Sequence, residues 1–371
     1  MTVSENHQRP IRVLIVDDSA LVRKALAEIL NREPDIEVVG TAPDAYIARD
    51  KILQLRPDVL TLDLEMPRMD GITFLRKLMR YHPLPVIVVS SHGATSSKLA
   101  IQALAEGAVE VLAKPAGPFS IGDLQHQLAE KVRAAAWAAR HGKLGAVRPR
   151  PVPTLPSQPP TVSAGPALLI AIGASTGGPG AVEFILRSLP KETPGIVIVQ
   201  HIPPGFSASF AERLNEVCPQ QVREAREGDV VAPGTVLIAP GDYHMTVHKA
   251  GGSYRVSLNQ GPRVCYQRPS VDVLFESVAR AAGPAAAGVI LTGMGSDGAE
   301  GMLAMKRAGA YNLAQDESTC VVFGMPKEAI RRGAVDKVLP LDKIPAELLR
   351  WTQQRAALQP GSCSPASERS S

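Results

Sequence analysis

The chain has 371 residues and a mass of 39.4 kDa, enough for two or three domains with separate cores, and its ordinary apolar (45%) and charged (20%) fractions exclude a fibrous or disordered protein. Its formal net charge of +4 is small, which argues against nucleic acid as a partner. No apolar run approaches a membrane span, and Cys218, Cys265, Cys320 and Cys363 have no metal or disulfide spacing, so the expectation is a cytoplasmic protein with reduced thiols and no direct membrane insertion.

Residues 1–10 are polar, lack the apolar core of a signal peptide and are expected to be disordered. From Ile11 the pattern becomes regular. Strands are expected at Ile11 to Val16 and near Glu37 to Thr41, Val59 to Leu62, Val86 to Val89 and Val109 to Leu112. Helical stretches alternate with them, one running to about Leu30 and others near Tyr46 to Leu55, Ile72 to Tyr81, Lys98 to Glu106 and Ile121 to Ala139. Such alternation predicts an α/β domain over 11–139 with a doubly wound parallel sheet.

Ligands of such sheets gather beyond the carboxyl ends of the strands, which brings Asp17, Asp18 and Asp63 together. Three carboxylates in one pocket need a divalent cation or raised pKa values, and oxygen-only ligands point to magnesium. Ser90 and Lys114 follow the fourth and fifth strands and add a hydroxyl and an ammonium, completing a site for a phosphoryl group. Helix capping would account for Asp17 or Asp18 alone, but not for Asp63 and Lys114 at the same edge.

The pieces Val16-Asp17-Asp18-Ser19, Leu62-Asp63 through Asp70-Gly71, Ser90-Ser91 and Ala113-Lys114-Pro115 resemble the receiver domain of two-component response regulators. The resemblance implies a flavodoxin-like fold, a histidine kinase as phosphodonor and Asp63 as phosphoacceptor. It also implies magnesium held by Asp17, Asp18, Asp63 and the Glu65 carbonyl, with Ser90 and Lys114 supporting the phosphoryl group. Val111 departs from the pattern, because many receivers carry an aromatic switch residue there.

Residues 140–166 are rich in proline with little apolar periodicity and read as a flexible linker. A second domain is expected over 167–353, and a disordered tail over 354–371. The domain opens on an apolar strand from Leu168, followed by Gly173-Ala174-Ser175-Thr176-Gly177, with a helix from about Ala181 to Ser188. This fits the short G-x-S-x-G elbow pattern, which also suits a phosphate loop or a plain tight turn. His201 follows the next strand (Ile196 to Gln200), and Asp297 follows the strand over Ala287 to Leu291. Ser175, His201 and Asp297 could thus meet at one edge as nucleophile, base and orienting acid. His244 also follows an apolar strand, and Asp229, Asp242 and Asp316 are competing loop acids.

The order Ser, His, Asp departs from that of an α/β-hydrolase. Instead, Ile172-Gly173-Ala174-Ser175-Thr176-Gly177-Gly178-Pro179, Val199-Gln200-His201-Ile202-Pro203, Arg268-Pro269-Ser270-Val271-Asp272 and Leu291 through Gly298 resemble the catalytic domain of the chemotaxis protein-glutamate methylesterases. That likeness implies a mainly parallel doubly wound α/β domain with an antiparallel hairpin region. It implies the triad Ser175, His201 and Asp297, with Thr176 beside the nucleophile and the Met294 N–H helping to bind the oxyanion. The implied reaction is demethylation of glutamate methyl esters on the cytoplasmic helices of chemoreceptors, with deamidation of certain receptor glutamines, and no cofactor for the ester chemistry. His244 then takes a structural or rim role. The rival reading, a DNA-binding response regulator, requires a helical or winged output rather than one alternating strand and helix.

Overall fold

The computed structural model describes residues 9–91, 93–114, 121–143 and 168–357, for 121–126 and 357 the backbone alone. Most of the expected N-terminal tail, Pro115, most of the expected linker and the end of the C-terminal tail lie outside the described residues. Among those described, no helix is long and apolar enough to cross a membrane.

The N-terminal half has strands β1 (Ile11–Val16), β2 (Ile36–Ala42), β3 (Val59–Leu62), β4 (Val86–Ser90) and β5 (Glu110–Ala113). They form a parallel sheet in the order β2-β1-β3-β4-β5. Helices α1 (Ala20–Leu30), α2 (Ala45–Leu55), α3 (Gly71–Tyr81), α4 (Ala94–Ala105) and α5 (Ile121–Arg140) cover its faces. Ser19, Asp44 and Asp70 cap α1, α2 and α3 by accepting backbone N–H groups of the first turn. Helix α4 begins a turn earlier than the apolar pattern suggests.

The C-terminal half is a parallel sheet in the order β14-β13-β12-β6-β7-β9-β8. Its strands are β6 (Leu169–Ala174), β7 (Gly195–Gln200), β8 (Gln221–Glu224), β9 (Thr235–Ile238), β12 (Ala286–Ile290), β13 (Tyr311–Gln315) and β14 (Lys337–Leu339). Strands β10 (His244–Ala250) and β11 (Ser253–Asn259) make the separate antiparallel hairpin. The α/β class, the parallel sheets and the hairpin agree with the expected architecture.

Strand β6 is buried along its whole length, and its alternate residues enter different cores. Ile170, Ile172 and Ala174 pack with α6 (Gly178–Ser188) and α7 (Phe206–Val217), whereas Leu169 and Ala171 join Leu274 and Phe275 of α8 (Val271–Ala282). Burial on both faces explains the unbroken apolar run, each large side chain contributing roughly 1.5–3 kcal/mol. Helix α9 (Ala299–Arg307) packs on α8, and α10 (Met325–Arg331) packs on α9. Helix α11 (Ile344–Ala357) closes the fold and runs past residue 353.

The two halves touch. Helix α4 packs on α7, where Lys98 Nζ lies 2.9 Å from Glu212. Val321, after β13, enters the apolar cluster that holds Leu128 and Val132 of α5. Lys143 Nζ donates to the carbonyls of Glu317 and Ser318 at 2.9 and 2.5 Å.

Candidate active site

The sheet order places β6 between β12 and β7. The chain leaves β6 toward β7 and later returns to β12 on the other side, so a topological switch point lies at the carboxyl end of β6, where open α/β sheets bind ligands. Ser175 follows β6 and His201 follows β7, the His201 N–H donating to Ala174 O at 3.0 Å. Ser175 N–H donates to Thr292 O at 3.0 Å, which ties the loop after β12 to the elbow.

Gly177 lies in the left-handed region at φ 78°, and a Cβ there would stand 2.5 Å from Val321 Cγ2. Only glycine makes this turn without strain and collision. Pro179 occupies the first helical turn, where its fixed φ suits helix entry. Helix α6 therefore starts at Gly178 rather than near Ala181, because Gly-Pro-Gly continues here as the opening of a helix. A Cβ on Gly293 would lie 2.7 Å from that of Ser175, so glycine at 293 lets the loop reach the elbow.

His201 and Asp297 are joined, Nε2 to Oδ2, at 2.7 Å, with the histidine 8% and the aspartate 2% exposed. Asp297 sits at the N-terminus of α8. Its Oδ2 also accepts from Val271 N (2.8 Å), and its Oδ1 accepts from Ser270 Oγ (2.7 Å) and Asp272 N (3.0 Å). Burial opposes the charged form, but the hydrogen bond and charge of His201, with the Asp272 and Val271 amides, hold the carboxyl below the ordinary aspartate range. Among the described residues the other ring nitrogen, Nδ1, has no hydrogen-bond partner.

The Ser175 hydroxyl is engaged from the other half of the molecule. Among the described residues its one hydrogen-bond partner is Lys131 Nζ of α5, at 3.5 Å. Lys131 also donates to Thr176 Oγ1 (3.0 Å) and to Glu110 Oε2 of β5 (2.6 Å), and Thr176 Oγ1 donates to Glu110 Oε2 at 2.7 Å. Ser175, Thr176 and Glu110 are all buried. Ser175 and His201 share an edge but no hydrogen bond links their side chains, so the expected trio is present as a formed His–Asp pair and a serine held by Lys131.

Among the described residues no protein acceptor takes the N–H of Thr176 or of Met294. Thr176 follows Ser175 directly, and Met294 follows Gly293, where a Cβ would lie 2.7 Å from that of Ser175. Gln200 Nε2 donates to Ser175 O (2.9 Å) and His201 O (3.1 Å), and Thr292 Oγ1 donates to Thr176 O (2.9 Å) while accepting from Val322 N (3.0 Å). Both residues lie in the quoted motifs, and their polarity inside apolar runs was the available signal.

His244 is buried with both ring nitrogens occupied, Nε2 donating to Pro262 O (2.9 Å) and Nδ1 accepting from Ser270 N (3.2 Å). It anchors the residue that holds Asp297. Asp242 pairs with Arg268, Asp229 with Arg223, and Asp316 holds Ser318 and Thr319, so none of them reaches the dyad.

At the carboxyl edge of the N-terminal sheet, oxygens of Asp17, Asp18 and Asp63 lie within 4.8 Å of one another. Lys114 Nζ lies 2.8 Å from Asp17 Oδ2 and 2.8 Å from Asp63 Oδ2. Burial raises the Asp63 pKa, and Lys114 opposes that rise. Buried Asp17 Oδ2 receives no directed hydrogen bond, and the all-oxygen donor set suits a hard divalent cation. Glu65 N–H donates to Asp63 Oδ1 (3.3 Å), whereas the Ser90 hydroxyl donates to Ser96 O (3.4 Å) and not to Asp63.

Residues 170–348 match the family described as CheB methylesterase, and residues 13–126 match the response regulator receiver domain. A protein-glutamate methylesterase/protein-glutamine glutaminase 2 of Syntrophus aciditrophicus is 53% identical over 342 residues, 92% of this chain and 98% of that one. A protein-glutamate methylesterase/protein-glutamine glutaminase of Salmonella typhi is 51% identical over 345 residues, 91% of this chain and 96% of that one. The crystal structure of the Thermotoga maritima CheB methylesterase catalytic domain is 43% identical, with a TM-score of 0.49, covering 50% of this chain and 98% of its own.

Proposed function

Because this chain belongs to the family of CheB protein-glutamate methylesterase/protein-glutamine glutaminases, we propose that it hydrolyses glutamate methyl esters and glutamine amides through Ser175, His201 and Asp297, under control of phosphorylation at Asp63. The observation that carries the reading is the buried His201–Asp297 pair beside Ser175, at the ends of three adjacent strands. The substrates are methylated glutamates on the cytoplasmic helices of chemoreceptors, and a histidine kinase of that pathway is the phosphodonor. Release of methanol from methylated receptor fragments, dependent on a phosphodonor, tests the reading; no release with the phosphorylated chain would overturn it.

Ser175 Oγ attacks the side-chain carbonyl carbon while His201 Nδ1 takes its proton. Asp297 holds the imidazolium that results. The oxyanion accepts from the N–H groups of Met294 and Thr176, such a donor lowering the barrier by on the order of 3 kcal/mol. Collapse breaks the bond to methoxide or amide, which leaves as methanol or ammonia with the proton from His201. Water, deprotonated by His201, then attacks the ester carbonyl on Ser175, and collapse frees the glutamate carboxylate while His201 returns the proton to Ser175 Oγ.

In the unphosphorylated chain, Lys131 and Glu110 cover this centre. Glu110 opens β5, the strand that ends just before Lys114, so a short strand joins the phosphosite to the contact on Thr176. Asp17, Asp18, Asp63 and the Glu65 carbonyl would hold magnesium, which supplies charge neutralisation during phosphoryl transfer to Asp63. Lys114 would move from its carboxylate partners to the new phosphoryl oxygens, with Ser90 turning to them. Receiver and catalytic centre then separate because a shifted β5 no longer seats Glu110 against Thr176. Asp63→Asn should leave basal hydrolysis as it is and abolish its stimulation by a small phosphodonor. Stimulation that persists in this variant would move the phosphosite elsewhere.

A further inference from the structure

A second carboxyl lies behind the dyad. Asp272 stands in the first turn of α8, one residue past the Val271 amide that binds Asp297, and it is 6% exposed. Its Oδ1 accepts from Gly301 N at 2.7 Å, which fixes it against the first turn of α9. An oxygen of Asp272, an oxygen of Asp297 and the Cys265 sulfur lie within 4.8 Å of one another, and the Cys265 thiol approaches Asp272 Oδ2 at 4.0 Å. Both Asp297 oxygens already serve His201 and the α8 amides. Two ionised carboxylates this close in a buried site repel strongly, and the arrangement is relieved when one proton lies between them.

We propose that Asp272 is a positioning residue for the hydrolysis, its protonated carboxyl donating to Asp297 so that the pair carries one negative charge and Asp297 stays fixed against His201. The proposal rests on the triad reading above. Around Asp272, burial and the Asp297 charge favour this state, and the two amides of the α9 turn, which favour the anion, are outweighed. Asp297 is the anion facing it, the Cys265 thiol comes from the loop after β11, and the α9 turn offers the Gly298 and Gly301 amides. His244 of β10 lies behind Ser270, and Arg332 is paired with Glu300. None of these supplies a cation in contact with Asp272. Burial and then the Asp297 charge push the Asp272 carboxyl up to about 7, so it keeps its proton in mildly acidic solution and loses it as the pH rises through neutrality.

The test uses the full chain with saturating phosphodonor and a methylated receptor fragment. Asp272→Ala removes the donor, and its kcat should fall on the order of ten- to a hundred-fold with KM little changed. Asp272→Asn restores an N–H donor of the same shape and should recover most of that loss. The ratio of wild-type to Asn-variant kcat should decline as the pH rises through about 7, because ionised Asp272 repels Asp297 while the amide keeps donating. An infrared band of a protonated carboxyl, present in the wild type below that pH and missing from Asp272→Asn, is the readout independent of turnover. An Asn variant as impaired as the Ala variant, a flat kcat ratio, or no such band would overturn the proposal. A lower melting temperature with unchanged kcat in Asp272→Ala would also overturn it, by making the role structural only. Ser175→Ala is the control: activity surviving there would sink the triad itself, whereas an inactive Ser175→Ala beside unaffected Asp272 variants would sink this proposal alone.

Discussion

Ser175→Ala is expected to reduce methanol release by on the order of 10⁴-fold or more, while the protein folds normally. The size follows from the chemistry: without the hydroxyl there is no acyl intermediate, and His201 and the oxyanion donors have no attacking group to serve. The small effect on folding follows from the structure. Among the described residues the Ser175 hydroxyl makes one long contact, to Lys131 at 3.5 Å, while its backbone N–H and carbonyl make the bonds that shape the elbow. Alanine keeps those bonds, and circular dichroism with thermal melting should show a wild-type fold. A variant that is both folded and active would place the nucleophile elsewhere.

A fragment beginning at Ala167 should hydrolyse esters faster than the unphosphorylated full chain, by about ten-fold or more, and a phosphodonor should close the gap. In the intact chain the linker keeps the receiver at an effective concentration in the millimolar range, so contacts of ordinary strength suffice to cover the centre. The contact that matters most is the buried Glu110–Lys131 pair against Thr176 and Ser175. Without Lys131 the docked state loses the donor to Ser175 and Thr176, and Glu110 is buried against Thr176 without its counter-ion. Lys131→Ala in the full chain should therefore raise the unstimulated rate toward that of the fragment. Equal rates for the full chain, the Lys131 variant and the fragment, with and without phosphodonor, would remove the inhibitory role of the contact.

Much of this was legible before any coordinates. Strand ends announce themselves by apolar runs stopping at glycine or polar residues, so Ser175, His201, Asp297, Asp17, Asp63 and Lys114 could each be set on a sheet edge. The choice between His201 and His244 could not be made on position, since both follow strands. Two occupied ring nitrogens on His244 speak for His201, and those bonds come from Pro262 and Ser270, 18 and 26 residues away. Glu110 and Lys131 gave no local sign, because their meaning lies in a contact with Thr176 that spans 66 and 45 residues. Asp272 was visible only as one letter of a longer motif. Its importance depends on two helix starts meeting at Asp297. The early start of α6 was hidden for another reason: Gly178-Pro179-Gly180 has the composition of a turn, and the left-handed Gly177 before it turns the same residues into a first helical turn.

The most direct measurement is covalent labelling of the phosphorylated full chain with a serine-reactive fluorophosphonate, followed by peptide mass spectrometry. A nucleophile activated by the His201–Asp297 pair should carry the label on Ser175, at a rate that rises with phosphorylation and collapses in His201→Gln. Label on another residue, or an unreactive Ser175 in a preparation that is releasing methanol, would contradict the account.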